Sequence, residues 1–228
     1  MRLSVIIPCL NEAHQIGELL QSLQPLRSRG AEIVVVDGAS NDGTLDIALA
    51  QADRAVTAPR GRAVQMNAGA ATANGDVLLF LHADTRLPDH ADALIEQGLD
   101  RTRRLWGRFD VRIAGAHPML RVIATVMNAR SRWTGIATGD QAIFATRAAF
   151  DAAGRYADIP LMEDIAVSKR LKQIGAPLCL RAQVTTSGRR WERHGVLRTM
   201  ALMWRLRLAY ALGADPHRLA TRYAPHRS

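Results

Sequence analysis

Six short polar clusters hold the side chains best placed to do chemistry: Pro8 with Asn11 and Glu12, Asp37, Arg60 with Arg62, His82 with Asp84, the run Gly139-Asp140-Gln141, and the pair Glu163–Asp164. Asp37 ends the run EIVVVD. A carboxylate there can accept a hydrogen bond from a base N–H or a ribose hydroxyl, and the Gly-bounded turn 38–43 lets backbone approach closely. The same carboxylate can instead do no more than hold its own Asx-type turn. Pro8, Asn11 and Glu12 can shape a pocket wall, while Glu12 reads equally as a first-turn carboxylate facing a helix dipole. Arg60 and Arg62 flank Gly61 before a helix start, where guanidinium and free N–H groups suit a diphosphate or simply meet solvent. Glu163 and Asp164 are either ordinary first-turn acids or a proton-transfer pair.

The elements that must position these groups alternate. Residues 3–8 are a β-branched apolar run, and Ile16, Leu19, Leu20 and Leu23 follow at helical spacing. Strands are predicted at 32–37, 54–59 and 77–81, and helices at 44–52 and 62–74, the last stopped by Gly75. Alternation of apolar-run strands with helices predicts a parallel sheet covered on both faces, whose ligands bind beyond the C-terminal strand ends. The first four polar clusters lie at four successive ends of that kind. Further on, the pattern predicts strands at 106–114, 141–145 and 177–180 and helices at 118–132, 163–174 (stopped by Gly175) and 197–212. No repeat or linker divides the 228 residues, so a single domain is expected.

Composition narrows the class. An apolar fraction of 48% with 22% charged residues excludes a disordered chain. Cys9 and Cys179 lie in apolar runs and read as reduced, buried thiols of a cytoplasmic protein. The first residues lack a signal-peptide pattern, and no apolar stretch reaches the length of a membrane span. The net charge of +9 is divided unevenly. Residues 1–100 carry 7 Lys/Arg against 13 Asp/Glu, net −6, and residues 101–228 carry 23 against 8, net +15. The basic half suits an anionic partner (diphosphate, lipid headgroups or nucleic acid) or is a solvated Arg-rich surface.

Four motifs stand in order: VIIPCLNEA, VVVDGASNDGT, LFLHADT and LMEDIAVSKRL. Together they resemble the family-2 glycosyltransferases, inverting enzymes of the glycosyltransferase-A fold, over roughly residues 3–190. The resemblance implies an α/β, Rossmann-like single domain with a mixed, mostly parallel sheet. Residues 1–100 would bind the nucleotide-sugar donor, 101–195 the acceptor, and 196–228 would form a helical extension. It implies a UDP-linked donor, an unidentified acceptor hydroxyl, Mg²⁺ or Mn²⁺ on Asp84, and Asp164 as general base with Glu163 beside it. Pro8, Asn11, Glu12, Asp37, Arg60, Arg62 and His82 would line the donor pocket. His82 departs from the family, standing where its metal motif usually begins with Asp, so it is left with ribose, the metal or a structural hydrogen bond as partner. The string RGRAVQMNAGAATANGDVLLFLHADT is similar to a compact bacterial subfamily with members associated with arsenosugar biosynthesis. Arg189-Arg190-Trp191 loosely resembles a basic-aromatic segment that covers the diphosphate in some relatives.

Two alternatives bound this expectation. A sugar-phosphate nucleotidyltransferase would open with a Gly-rich, basic triphosphate loop, which PCLNEAHQIGE is not. A non-catalytic nucleotide or nucleic-acid binder would use the +15 half, but the acidic donor edge would repel a polyanion, so no nucleic-acid partner is expected. Finally, Leu197, Met200, Ala201, Trp204, Leu208, Ala211 and Leu212 form one helical stripe beside Arg198, Arg205 and Arg207. It reads first as a core-packing or homodimer helix, and alternatively as peripheral membrane contact at the inner face of a membrane.

Overall fold

The structure, a computed structural model, describes residues 1–223. An eight-stranded sheet runs in the order β3-β2-β1-β4-β7-β6-β8-β5. Its strands are β1 Leu3–Cys9, β2 Glu32–Asp37, β3 Arg54–Thr57, β4 Val77–Phe80, β5 Thr85–Arg86, β6 Trp106–Ala114, β7 Phe144–Thr146 and β8 Leu178–Ser187. β1 to β4 are mutually parallel, β7 is antiparallel to β4 and to β6, β6 and β8 are parallel, and β5 returns antiparallel on β8. The mixed, mostly parallel sheet matches the expectation.

Strand residues alternate between two cores, as period-2 side chains must. Val5, Ile7, Ile33, Val35 and Leu79 face α1 (Ala13–Ser28) and α4 (Ala91–Thr102) through Ile16, Leu20, Ile95 and Leu99. Ile6, Val34, Val36, Leu78 and Phe80 face α3 (Arg62–Thr72), α6 (Arg147–Ala152) and α7 (Glu163–Ile174) through Met66, Phe150, Val167 and Leu171. Each fully buried aliphatic side chain contributes about 1.5–3 kcal/mol, which fixes the register that brings the strand ends to one edge. The remaining helices are α2 Thr44–Gln51, α5 Met119–Thr134, α8 Arg189–His194, α9 Val196–Ala211 and α10 Pro216–Tyr223.

Several expectations need correction. Gly75 does not stop α3. It packs against the Ser4 backbone and hydroxyl, leaving no room for a Cβ. The carbonyls of Ala70, Ala73 and Gly75 are instead satisfied by the Arg147 guanidinium at 2.7–3.0 Å. The expected stop at Gly175 holds by contrast: α7 ends at Ile174, and Gly175 caps it in extended backbone, φ 176°. Gln141 belongs to a 3-10 turn, Gly139–Gln141, and the strand begins only at Phe144. Its amide is buried and bonded to Thr138 and Asn128, which draws it out of the ladder. β8 is ten residues rather than four, because Arg181 to Ser187 lack an apolar run and are held by pairing with β6 and β5. The α9 stripe is not core. Leu206, with Leu202 and Met203, packs inward on the opposite face of that helix, and Leu197, Trp204, Leu208 and Leu212 are exposed.

Candidate active site at the strand ends

Parallel β1 to β4 deliver their C-terminal ends to one edge, and the loops that follow carry most of the expected residues. Pro8 pairs in register with Val36, and Cys9 with Asp37. Gln65, buried on α3, ties these two ends together by donating to the carbonyls of Cys9 at 2.7 Å and Val36 at 2.8 Å. Sequence reading passed over Gln65, although a Gln between the core-facing Ala63 and Met66 was the signal for it.

Asp37 is buried, and its carboxylate accepts from the Ser40 N–H at 2.8 Å and from the Ser40 hydroxyl. It therefore holds its own turn. Asn11, in the left-handed region, donates its N–H to Ser40 and accepts from the Asn41 N–H through Oδ1. The first two loops are thus laced into one wall. Glu12 precedes α1 without capping it by its side chain. Its carboxylate accepts from Gln15, and its pKa is raised by burial and then by Asp84. Glu12 and Asp84 are near enough to repel. The Asp84 side chain is partly buried and, among the described residues, is hydrogen-bonded only by the Thr85 hydroxyl, at 3.3 Å.

Two of the contacts that join the second half of the chain to this wall involve expected site residues. Arg62 reaches Glu163 at 3.4 Å, and His82 Nδ1 lies 3.4 Å from Asp140. Glu163 is buried. Burial raises its pKa, Arg62 pulls it back and Asp164 adds to the rise. Glu163 in turn helps hold the Arg62 guanidinium charged against the loss of its hydration. For Asp140, lost hydration is outweighed by the His82 hydrogen bond, then by the charges of His82, Arg62 and Arg207, and its pKa is lowered. Asp164 accepts from the Gly139 N–H at 2.9 Å through Oδ2 and from the Ile165 N–H at 2.7 Å through Oδ1. The His82 ring rests on Gly139, where a Cβ would come within 2.4 Å of it. His82 is therefore engaged with the Gly139–Asp140 turn, one of the three partners left open for it.

Arg60 makes no hydrogen bond or ion pair among the described residues and stays exposed. Three further arginines border the site. Arg189 meets His14 at 2.8 Å and Gln15, close enough to Glu12 to oppose its raised pKa. Arg130 has buried Nε and Nη2 atoms without a hydrogen-bond partner among the described residues. Burial and then Arg207 lower its pKa to about 10, against the pull of Asp164. Arg190 stacks on Tyr223 with 3.6 Å to the ring centroid. Trp191 packs on the cluster of Ile113, Leu120 and Ile123, so it serves the fold.

No group of three or more His, Cys, Asp or Glu side chains converges as a complete metal cage among the described residues. Glu12 and Asp84 nevertheless present two oxygen donors whose repulsion a hard divalent cation would relieve. Such a cation keeps waters and takes phosphate oxygens to complete its shell, so a two-carboxylate donor set fits one that arrives with a diphosphate.

The profile described as Glycosyl transferase family 2 matches residues 4–152. Succinoglycan biosynthesis protein ExoA of Rhizobium meliloti (strain 1021) is 36% identical over 105 residues, 42% of this chain and 32% of that protein. S. aureus TarS (1–349) superposes with TM-score 0.66 at 18% identity, over 82% of this chain and 61% of that one. Its complex with UDP-GlcNAc superposes equally well. The mannosyltransferase PcManGT from Pyrobaculum calidifontis, in complex with GDP-Man and Mn²⁺, gives TM-score 0.61 at 21% identity, over 81% and 56%. The aligned region is thus about a third of the curated relative and less than two thirds of either structural neighbour. At these identities the structural likeness establishes the fold those glycosyltransferases share.

Proposed function

The chain belongs to glycosyl transferase family 2, and on that premise we propose that it moves a sugar from a nucleoside diphosphate, UDP in the first instance, to an acceptor hydroxyl with inversion. The observation that carries the reading is the meeting of the two halves, Arg62 on Glu163 and His82 on Asp140. Through it, Arg62 after β3 reaches the start of the helix bearing Asp164, and His82 after β4 reaches the Gly139–Gln141 turn whose Gly139 N–H bonds Asp164.

In this reading Pro8, Asn11, Glu12 and the Asp37 turn form the nucleoside wall, and Arg60 and Arg62 face the diphosphate. Inversion needs one carboxylate to take the acceptor proton as its oxygen attacks. Asp164 fills that role. The Gly139 N–H orients Oδ2, and Ile165 N–H holds Oδ1, so the carboxylate is positioned before the acceptor arrives. Glu163 anchors Arg62. A divalent cation, Mg²⁺ or Mn²⁺, held by Asp84 with Glu12 would supply neutralisation of the leaving diphosphate. Residues 1–100 form the donor half, 101–195 the acceptor half, and 196–228 a C-terminal extension whose last five residues lie outside the described ones. Placement in the arsenosugar-associated subfamily is part of the reading and rests on the string from Arg60 to Thr85. So is a cytoplasmic location, supported by two free cysteines.

Calorimetry with UDP and GDP, each with and without Mn²⁺, tests the donor side. Binding of one nucleotide strengthened by Mn²⁺ and lost in Asp84→Ala is the expected result. Asp164→Asn is expected to bind that nucleotide normally and lose at least about 10²-fold in transfer. Transfer at the wild-type rate by Asp164→Asn would remove it from the role of base.

A further inference from the structure

Helix α9 is apolar on two faces and the fold uses one. Its inner face, with Leu206 buried beside Leu202 and Met203, packs on Met162 and Ile165 at the start of the helix that carries Asp164. Its outer stripe is open, with Leu197 68%, Trp204 65%, Leu208 62% and Leu212 80% exposed. At helical spacing these four side chains, with Ala201, line one side along the whole of α9 and just past its end. Arg198 and Arg205 flank the stripe, both exposed, and the chain from 193 to 214 contains no Asp or Glu. The adjoining α5, joined to α9 through Ile123, Met127 and Met200, also lacks acidic residues and leaves Val122, Val126 and Trp133 exposed. No helix among the described residues is long and apolar enough to cross a membrane.

We propose that this stripe docks the protein on the surface of a bilayer containing anionic lipid. The leucines would enter the acyl boundary, Trp204 would sit at headgroup level, and Arg198 and Arg205 would meet lipid phosphates. Charge decides against a second copy as the occupant. A two-fold contact across the stripe would bring Arg198 and Arg205 of both chains together with no acid on either helix to pair them. Docking through the outer face of α9 would hold the inner face, and the start of the Asp164 helix behind it, within reach of the headgroups.

Flotation of the full chain with vesicles of phosphatidylcholine, and of equimolar phosphatidylcholine and phosphatidylglycerol, tests the proposal without donor or acceptor. Its outcome is therefore independent of the transfer reading. Partition onto the anionic vesicles, weakened by salt, is expected. The double variant Trp204→Ser with Leu208→Ser should lose at least about tenfold in vesicle affinity, as should Arg198→Glu with Arg205→Glu. Both should keep the wild-type far-ultraviolet circular dichroism and urea midpoint, which shows that they are folded. Absence of partition, or equal partition by wild type and the stripe variant, overturns the proposal. So does a wild-type dimer in sedimentation that the stripe variant abolishes, because the stripe would then cover a second copy.

Discussion

Glu163 and Asp140 each pair with a residue of the first half, Arg62 and His82, and their pKa values are shifted in opposite directions. Burial dominates at Glu163, where Arg62 at 3.4 Å offsets only part of the cost, whereas His82 and the nearby guanidiniums prevail at Asp140. The raised pKa of Glu163 has a consequence for stability. The folded state binds its proton more tightly than the unfolded chain, so this group contributes stability that is fully present below the ordinary value of 4.5. That contribution is lost as pH rises through the higher folded value. Glu163→Gln keeps the shape and stays neutral. Its urea midpoint, followed from pH 4 upward, should lack the part of the wild-type decline that begins near 4.5. Arg62, about half exposed, regains hydration when its partner is neutral, so its loss of an ion pair should cost little. Parallel midpoint curves for the two proteins would mean that folding does not raise the Glu163 pKa. Chemistry-bearing residues such as these were legible as types at spacings, but their partners were not. Nothing in the sequence joins His82 to Asp140 or Arg62 to Glu163, because those contacts cross about 60 and 100 residues and exist only after β7 and α7 have packed.

The packing of α3 on the sheet allows a sharper prediction at the scale of an element. Gly69 lies mid-helix, where Ala would ordinarily gain about 1 kcal/mol of helix propensity. A Cβ there would stand 2.4 Å from Ile6 Cγ2 and 2.9 Å from Val36 Cγ2, side chains fixed in buried strands. Overpacking of this kind costs about 1–3 kcal/mol, so Gly69→Ala should destabilise the protein despite the propensity gain. Denaturant unfolding of the two proteins reads the sign directly, and a higher midpoint for Gly69→Ala would show that the sheet yields. The same comparison of local and tertiary terms explains which elements could be read in advance. β1, β2 and β4 are continuous apolar runs, and α7 begins on acids and ends before Gly175, so their limits were nearly all visible. β8 beyond Leu180 and the two-residue β5 carry no pattern of their own and are made by pairing. α4 went unread although Ala91, Ile95 and Leu99 repeat at four-residue spacing. Its Gly98, pressed against Leu178, weakens the helical signal for a reason of packing. The outer stripe of α9 was legible as amphipathic, but which of its two apolar faces meets the core depends on Met162 and Leu219, distant in sequence.

Across the whole molecule the charge division acquires a geometric meaning. The acidic first half places Glu12, Asp37 and Asp84 at the strand ends, and the basic second half brings Arg130, Arg189 and Arg207 to the border of the same site. A nucleoside diphosphate entering there would meet carboxylates on one wall and guanidiniums on the other. Glu12 and Asp84 already repel each other, and a dianion added beside them raises that cost unless a cation comes with it. UDP alone should therefore bind weakly and raise the melting temperature little. At about 100 times its Kd, UDP with Mn²⁺ should stabilise the fold by about 2.7 kcal/mol. In a domain of this size each kcal/mol moves the midpoint by about 2–4 °C, so the expected rise is roughly 5–10 °C. Asp84→Ala should shrink the Mn²⁺-dependent part towards zero and leave the small effect of UDP alone in place, while chelation of the metal should do the same to the wild type. A full rise with UDP in the absence of Mn²⁺ would show that Arg62 and its basic neighbours suffice to hold the diphosphate, and the cation would then have no part in donor binding.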